Sequence, residues 1–255
     1  IQMSSGGLVG SLSNTEIKQS YAGGNVQHDH QVVGGATTRS SIGGLAGVNQ
    51  NSSINIAYAS GSVSGNDNVG GLIGNNENGH ISNAYASGAV TGTSQVGGLV
   101  GNHTGTGSIA QTYAIGKVTG TGTDVGGLVG NAASTANVSS SFWDTQSTGV
   151  STSAGGAGAN GVSTAQIQNL DTFIKAGWDI DDEGGTGKVW RIYSGQTAPL
   201  LRSFLTQKTI TAPSDETVTY NATQQSIAPL AGLDAHILLA GDSTGTNAGI
   251  YTTTY

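Results

Sequence analysis

The sequence contains no cysteine, little charge and few aromatic residues. The absence of Cys from its 255 residues excludes disulfide bonds, thiolate chemistry and Cys-ligated zinc. Charged residues make up 9% of the chain, against about 25% in an average globular protein. The formal net charge is −7, and no Lys/Arg cluster is present that could displace phosphate counterions. We therefore expect no nucleic-acid partner.

The chain also has no long apolar run. No stretch approaches the about 20 apolar residues of a membrane-spanning helix, and the N-terminal IQMSSGGLVG lacks the charged and apolar regions of a signal peptide. We expect a mature or internal part of a larger exported chain, which continues into further domains. Ser, Thr, Asn and Gln replace charged residues, a composition that favours an extracellular or cell-surface location.

Glycine, at 43 residues, marks an internal repeat. Segments of the form GGLxG begin at Gly6, Gly43, Gly70, Gly97 and Gly126, at intervals of 37, 27, 27 and 29 residues. The first interval is longer by about ten residues, which indicates an insertion within 27–42. Three landmarks recur at near-constant offsets: a leucine (Leu8, Leu45, Leu72, Leu99, Leu128), an aliphatic residue (Ile17, Ile54, Ile81, Ile109, Val138) and an aromatic residue (Tyr21, Tyr58, Tyr85, Tyr113, Phe142).

A unit of about 27 residues with short β-branched and aromatic pieces between turn residues predicts strands. One such unit cannot hide its apolar face, but stacked units can. Residues 1–142 are therefore predicted to form an all-β parallel β-helix, or β-solenoid, in which the leucine and aliphatic landmarks form structural ladders.

The motif GGLVGN at 97–102, with ISNAYASGAVTG at 81–92, resembles the GLUG repeat of bacterial surface and secreted proteins. Residues 139–201, including SSSFWDTQSTGV and VWRIYSGQTAPLL, resemble the segment that closes such arrays in two-partner-secreted adhesins of the filamentous-haemagglutinin type. The resemblance implies a right-handed β-helix and a role in cell adhesion or biofilm matrix. It supplies no catalytic residues.

The remaining chain is predicted to form a closing segment and a separate module. Residues 143–205 contain all three tryptophans, and a solenoid end must be covered. Ser163 and Gln166 form a capping-box signature, and Ile167, Leu170 and Ile174 then fit one face of a single helix at roughly 164–175. Residues 206–255 resemble an Ig-like β-module, either whole or in part.

The tyrosines are the first candidate ligand site. Tyr21, Tyr58, Tyr85 and Tyr113 could form an exposed stripe for stacking on sugar rings of a glycan or another surface ligand. Packing into or against the solenoid is the favoured alternative, because Phe142 takes the last position without a hydroxyl. Loop tips at 66–68, 93–95 and 120–124, and the insertion, are further candidate sites.

Two metal-like clusters are weak candidates, and we expect no metal or cofactor. His28, Asp29 and His30 lie in the insertion, but adjacent side chains diverge on an extended loop. Calcium is the alternative considered for a second cluster, which is acidic. A calcium loop of the EF-hand type has a glutamate near its twelfth position, where this chain has Trp190. This second cluster consists of Asp179, Asp181, Asp182 and Glu183.

Catalysis and ice binding are the other functions considered. A β-helix that cleaves polysaccharides would need a repeated carboxylate site. Asp67 and Asp124 are the candidates for such a site, but the unit between them has Gln95 in its place. The hydroxyl side chains of Ser64, Thr91 and Thr119 form one row along the repeats. An ice-binding array needs two such rows side by side. We therefore predict a non-enzymatic adhesive segment, with polysaccharide binding or cleavage and ice binding as alternatives. End-to-end self-association remains open.

Overall fold

The computed structural model describes residues 2–28, 32–33, 36–37, 39–134, 136–183, 186–206, 225–226 and 244–245. It divides into two units, Ile1–Phe204 and Leu205–Tyr255. In the second unit, the described residues are Leu205, Thr206 and a pair of antiparallel strands, Gln225–Ser226 and Thr244–Gly245. The rest of the Ig-like module predicted at 206–255 lies almost entirely outside the described residues.

The first unit consists of stacked parallel sheets, as the repeat predicts. Its chain winds through five coils, which we number 1 to 5 and assign to residues 2–27, 39–64, 67–92, 94–120 and 125–144. The first sheet contains Gln2–Gly6, Arg39–Gly43, Asp67–Gly70, Ser94–Gly97 and Val125–Gly126. The second sheet contains Val9–Ser13, Ala46–Gln50, Ile73–Glu77, Val100–Thr104 and Val129–Ala132.

The other two sheets of the coils follow in the same order along each repeat. The third sheet contains Glu16–Ala22, Ser53–Ala59, His80–Ala86, Ser108–Ala114, Asn137–Ser139 with Ser141–Asp144, and Ala159–Val162. The fourth sheet contains Val26–Gln27, Val63–Ser64, Val90–Gly92 and Val118–Gly120. Parallel pairing in the third sheet therefore continues past residue 142, the boundary predicted for the repeats.

The repeat landmarks lie above one another because the register keeps the sequence period. Ile81 pairs with Ile54 and with Ile109, and Ile17 and Val138 extend this column at its two ends. The leucines form a second column, in which Leu45 N donates to Leu72 O at 2.9 Å. All leucines of this column are fully buried except Leu8, which is 50% exposed.

Apolar residues form two interior clusters and one exterior cluster. The larger interior cluster lies between the second and third sheets and includes the leucine and aliphatic columns. The smaller one joins valines of the first and fourth sheets. The exterior cluster contains the aromatic residues on the outer face of the third sheet. The segment that follows the coils packs against this face.

The first and second sheets approach each other backbone to backbone. A Cβ at Gly101 would lie 2.6 Å from both Asn68 C and Val69 N, far inside ordinary contact. Glycine is required here because no side chain fits between the two strands. The recurrent third glycine of the GGLxG motif thus sets the distance between the sheets.

Trp143 closes the last coil. It follows Ala114 in register, so a tryptophan ends the inward-facing column to which Ala59, Ala86 and Ala114 belong. Trp143 is 5% exposed, and its Nε1 donates to Val150 O at 2.8 Å. The large ring covers the apolar end that the alanines leave open.

Residues after Val162 form what we call the strap, residues 163–204 apart from 184–185. They pack along the outer face of the third sheet, so the predicted end cap also covers a side of the coils. The strap contains a three-stranded sheet of Ile180–Asp181, Trp190–Arg191 and Leu200–Leu201. The 3-10 helices are Gly156–Gly158, before the strap, and Arg202–Phe204, at its end.

The prediction of one helix at 164–175 is wrong. The closing segment has three short α-helices, Thr145–Thr148, Thr164–Ile167 and Leu170–Lys175. The Ser163–Gln166 capping box is present, but Asn169 caps a new helix by accepting from Asp171 N. This break changes the helical phase, so Phe173 is buried whereas Ile174 is 52% exposed. No helix within the described residues is long and apolar enough to cross a bilayer.

The predicted insertion contains a small antiparallel strand pair between coils 1 and 2. Val32–Val33 pairs with Ala36–Thr37, while Arg39–Gly43 returns the chain to the first sheet in parallel with Gln2–Gly6. The insertion therefore leaves the coil register intact on both sides.

Candidate functional site

The four tyrosines form a continuous stack on the outside of the solenoid. Ring centroids are 5.0 Å apart between Tyr21 and Tyr58 and 4.9 Å apart for each of the next two pairs. The planes of successive rings differ by at most 6°. Since each ring comes from one coil, the 27-residue period becomes a column of aromatic faces, which we call the tyrosine ladder.

The outward direction of the tyrosines depends on one left-handed residue in each third-sheet strand. Strict alternation would place Tyr58 on the same face as Ile54, inside the coil. Ile56, however, has φ 55°, which shifts the alternation so that Ala57 and Ala59 are buried while Tyr58 is turned away from them. The equivalent residues with positive φ in the other coils are Gln19, Asn83, Gln111 and Ser140.

The strap covers one end of the tyrosine ladder. Trp190 lies 6.2 Å from Tyr85 and 5.9 Å from Tyr113, measured between ring centroids. Trp190 Nε1 donates to Asn83 Oδ1 at 3.1 Å, and Tyr113 Oη donates to Pro199 O at 2.6 Å. Tyr113 is 1% exposed as a result, so its packing against the solenoid is structural.

Exposure increases along the ladder toward coil 1. Phe204 meets Tyr58 and Tyr21 edge-on at 5.0 and 5.7 Å, and Tyr21 remains 57% exposed. Burial, followed by the neighbouring tyrosine charge, raises the pKa of Tyr58, Tyr85 and Tyr113 above 10.0. Of the four candidate ligand residues, Tyr21 offers the most open ring.

Comparison with protein families assigns part of these coils. The family model described as the GLUG motif matches residues 65–91 and 92–119, which correspond to coils 3 and 4. Both coils are GLUG repeats. No curated protein and no solved structure gives a significant match. The GLUG coils share their four-sheet register with coils 1 and 2 and, for most positions, with coil 5.

The acidic residues after the GLUG coils are engaged with basic residues. Asp179 Oδ1 lies 2.9 Å from Lys188 Nζ, and this hydrogen bond is the main cause that lowers the pKa of Asp179 below 3.8. Asp181 pairs with Arg202 and accepts from Thr186 Oγ1 at 2.5 Å. Together with Asp182 and Glu183, these residues form no group able to hold a metal ion within the described part of the chain.

The histidine cluster of the insertion is only partly described. His28 N donates to Ser64 O at 3.0 Å, so His28 continues the edge of the fourth sheet. Asp29 and His30 lie outside the described residues, and the predicted trio is therefore untested. The predicted loop tips at 66–68, 93–95 and 120–124 lie where the fourth sheet leads into the first sheet of the next coil. Residues 67–68 and 94–95 already belong to first-sheet strands, and Gly120 ends a fourth-sheet strand.

The candidate carboxylates do not share a column. Asp67 pairs with Ser94, whereas Asp124 precedes Val125, the partner of Val96. Asp124 therefore corresponds to Gln95, and Asp67 lies one position away from that column. Asp67 and Asp124 thus lie near corresponding corners of their coils, one residue apart in the strand register.

The hydroxyl rank on the fourth sheet is a single column. Ser64 pairs with Thr91, which pairs with Thr119, and all three side chains are exposed. Two residues earlier in each strand region the side chains are Ser62, Ala89 and Lys117. The column next to the hydroxyl row therefore has a hydroxyl group only at Ser62 and does not form a second row.

Sequence reasoning missed a buried polar column inside the GLUG coils. Asn76 pairs in register with Asn49 and His103, and all three are fully buried. Asn49 Nδ2 donates to Asn76 Oδ1 at 2.6 Å, and Asn76 Nδ2 lies 3.0 Å from His103 Nδ1. His103 Nδ1 also lies 3.3 Å from Asn76 O; it accepts from the Asn76 amide in the neutral ring and can donate to this carbonyl when protonated.

The 27-residue spacing of the repeats is the sequence signal that could have identified this buried polar column. Asn75, Asn102 and Asn131 form a separate, partly buried column, in which Asn131 Nδ2 donates to Asn102 Oδ1 at 2.8 Å. In coil 2, Val48 takes the position of this column, and Asn49 follows it one residue later. Counting 27 residues from Asn49 leads directly to Asn76.

We predict that His103 makes the fold sensitive to mild acid. Desolvation is the main cause that lowers the pKa of His103 below 6.5, so the unfolded chain takes up a proton at a higher pH than the folded chain. The free energy of unfolding should therefore fall as the pH drops below 6.5 and level off once the pH passes the folded-state pKa. Urea unfolding between neutral and mildly acidic pH measures this.

Two variants isolate the effect of His103. His103→Asn continues the amide column and should remove the histidine part of the acid-dependent loss. His80→Asn alters an exposed ring bound to Ser108 Oγ at 2.8 Å and should largely retain the loss. An equal pH dependence of unfolding in the native chain and in His103→Asn would contradict the assignment.

Proposed function

We propose that this chain is a structural and adhesive segment of an exported bacterial surface protein, mediating attachment or biofilm matrix contacts. The observation that carries the proposal is the tyrosine ladder, which repeats one aromatic side chain per coil on an outer face and leaves Tyr21 57% exposed. The strap packs on the other three rings of the ladder, so Tyr21 is the aromatic ring that this chain offers to a ligand.

The rod supplies rigidity in this proposal. Coils 1 to 4 are hydrogen-bonded to one another in four sheets, and coil 5 pairs with coil 4 in three of them. The backbones of the first and second sheets are in contact at Gly101. We propose a right-handed winding, the hand that parallel crossover connections favour. Such a rod would hold a binding face away from the cell or space a distal domain, without catalysing a reaction.

A glycan is the ligand class that we favour for the adhesive face. Tyr21 stacks on Tyr58 through one face, which leaves an amphipathic ring beside the exposed polar residues Lys18 and Gln19. Aromatic faces pack against the apolar faces of sugars while neighbouring polar groups take their hydroxyls. Polysaccharide binding is therefore the second form of the proposal, and cleavage of a polysaccharide would contradict its non-enzymatic part.

A glycan array followed by titration of the bound sugars tests the adhesive site. Tyr21→Ala should weaken binding about tenfold, as loss of one aromatic stacking contact implies. Tyr21→Phe retains the ring and should bind within a few-fold of the native chain. Equal binding by the native and Tyr21→Ala chains would remove Tyr21 from the site, and absence of binding to glycans, bacteria and host cells would contradict adhesion.

Export to the surface is a separate part of the proposal. The low charge and the many Ser, Thr, Asn and Gln residues support an extracellular location. An antibody against the chain should label intact cells that express the parent protein, as strongly as permeabilised cells. Labelling that requires permeabilisation would contradict this location.

A further inference from the structure

The last ring of the strap, Phe204, lies across two rungs of the tyrosine ladder. Its centroid is 5.0 Å from that of Tyr58 and 5.7 Å from that of Tyr21, and its plane is turned by 85° and 80° from theirs. Both faces of Tyr58 are occupied, because Tyr21 and Tyr85 stack on them at 5.0 and 4.9 Å. The face of the Phe204 ring therefore lies against the edge of Tyr58, an arrangement that aromatic quadrupoles favour.

The preceding part of the strap is fixed to the coils by hydrogen bonds. Trp190 Nε1 donates to Asn83 Oδ1 of coil 3 at 3.1 Å, and Trp178 Nε1 donates to Ser140 O of coil 5 at 2.8 Å. Both indole rings are buried. Lifting the strap at these points would leave buried polar groups without partners, which is costly, so this part of the ladder stays covered.

Phe204 is held on the ladder differently. Within the described residues it makes no hydrogen bond to the coils, and the ring contacts with Tyr58 and Tyr21 are what join it to them. Arg202, two residues earlier, is still tied to the strap, because its N donates to Val189 O at 3.0 Å. A segment with few buried contacts opens locally before the rest of the fold does, so Phe204 can leave while the strap stays in place.

The rung beneath Phe204 keeps its position without it. Tyr58 pairs in register with Tyr85, and its neighbours Ala57 and Ala59 are fully buried in the interior of coil 2. The coil itself thus orients the ring. Removal of Phe204 therefore uncovers a preformed surface, which a ligand does not have to order.

We propose that Phe204 is a displaceable cover, and that a glycan bound at Tyr21 extends over Tyr58 by displacing it. The inference rests on the proposed function, because the ligand is the same glycan. A six-membered sugar ring is close to a phenyl ring in size and can place its apolar face where the face of Phe204 lies. Tyr85 and Tyr113 remain under the hydrogen-bonded part of the strap, so the extended site has two rungs.

A glycan array with the native and Phe204→Ala chains, followed by titration of the sugars that bind, tests the cover. We expect the cover to be closed about nine-tenths of the time, so its removal should lower the dissociation constant about tenfold. Tyr58→Ala should abolish this gain in the Phe204→Ala chain. Leu205→Ala removes the next apolar side chain, which is 42% exposed, and should bind as the native chain does.

Nitration with tetranitromethane reports on the cover without any sugar. Peptide mass spectrometry should show Tyr58 nitrated several-fold faster in Phe204→Ala than in the native chain. Tyr113, which is 1% exposed, should stay unreactive in both chains, and their circular dichroism should be the same. Equal nitration of Tyr58 in the two chains overturns the proposal.

The binding outcomes separate the cover from the adhesive site. Equal affinity of the native and Phe204→Ala chains for a sugar whose binding Tyr21→Ala weakens overturns the cover and leaves the proposed function intact. A gain in affinity that survives Tyr58→Ala also overturns the cover. Absence of sugar binding by both chains overturns the cover and the glycan site together.

Discussion

Trp190→Ala should destabilise the protein by about 3 to 5 kcal/mol, the range for a fully buried tryptophan. Trp190 is completely buried and lies 4.9 Å from Trp178 between ring centroids, besides contacting Tyr85 and Tyr113. Its removal opens a cavity between the strap and the tyrosine ladder. Urea unfolding followed by far-UV circular dichroism measures the loss, and the pKa of Tyr85 should fall toward 10.0 as its burial is relieved.

Matched variants show which part of the tryptophan matters. Trp190→Phe keeps one aromatic ring but leaves a smaller cavity and removes the hydrogen bond to Asn83, so it should cost more than about 1 kcal/mol but less than Trp190→Ala. Ile174→Ala removes a large apolar side chain that is 52% exposed in the same strap and should have little effect. If Trp190→Ala unfolds at the native urea concentration, the strap does not stabilise the coils.

Gly101→Ala should destabilise the solenoid by about 3 kcal/mol or more, at the upper end of overpacking effects. The added Cβ would meet Asn68 C, Val69 N and Gly74 O, at 2.6, 2.6 and 2.7 Å. All three are backbone atoms, so no side-chain rotation relieves the clash. The first and second sheets would have to separate in the middle of the GLUG coils, and thermal unfolding should show a lower midpoint.

Gly24→Ala is the matched control, because nothing lies within 4 Å of a Cβ at Gly24. Its unfolding midpoint should stay close to that of the native chain or rise slightly, since alanine restricts the unfolded chain. A similar loss in Gly101→Ala and Gly24→Ala would show that glycine content as such, and not sheet contact, limits stability.

The stacked parallel strands were predictable because a constant period fixes the register. Leu45, Leu72 and Leu99 recur at 27 residues, and the structure joins them by backbone hydrogen bonds of 2.9 and 2.8 Å. A one-residue slip would turn every inward side chain outward, so the apolar columns admit one register. The prediction of a β-solenoid of parallel strands is confirmed at this level.

The direction of the candidate site residues was not predictable from the period. It depends on the left-handed residue two positions before each tyrosine, and in coil 2 this residue is Ile56. A β-branched residue is among the least expected at positive φ. Asn83 in the next coil is a usual residue for this conformation, but one favourable residue among five positions was too weak a signal.

The path of the strap was likewise beyond sequence reasoning. Three tryptophans in the closing segment indicated aromatic packing, but their partners are far away in the chain. Trp190 donates to Asn83, 107 residues earlier, and Trp178 Nε1 donates to Ser140 O at 2.8 Å. Such contacts follow no local period, and only the folded arrangement identifies them.

The strap covers a fixed number of repeats, counted back along the chain from Trp143, which closes the last coil. Trp178 contacts Tyr113 of coil 4, Trp190 contacts Tyr85 of coil 3, and Phe204 contacts Tyr58 of coil 2 and the edge of the ladder at Tyr21 of coil 1. Its reach depends on its own length and not on how many coils precede it. Duplication of a repeat ahead of coil 1 would therefore add uncovered aromatic rungs only. The number of repeats would therefore set how many exposed aromatic rings the solenoid offers to a ligand. The number of rings covered by the strap would stay constant.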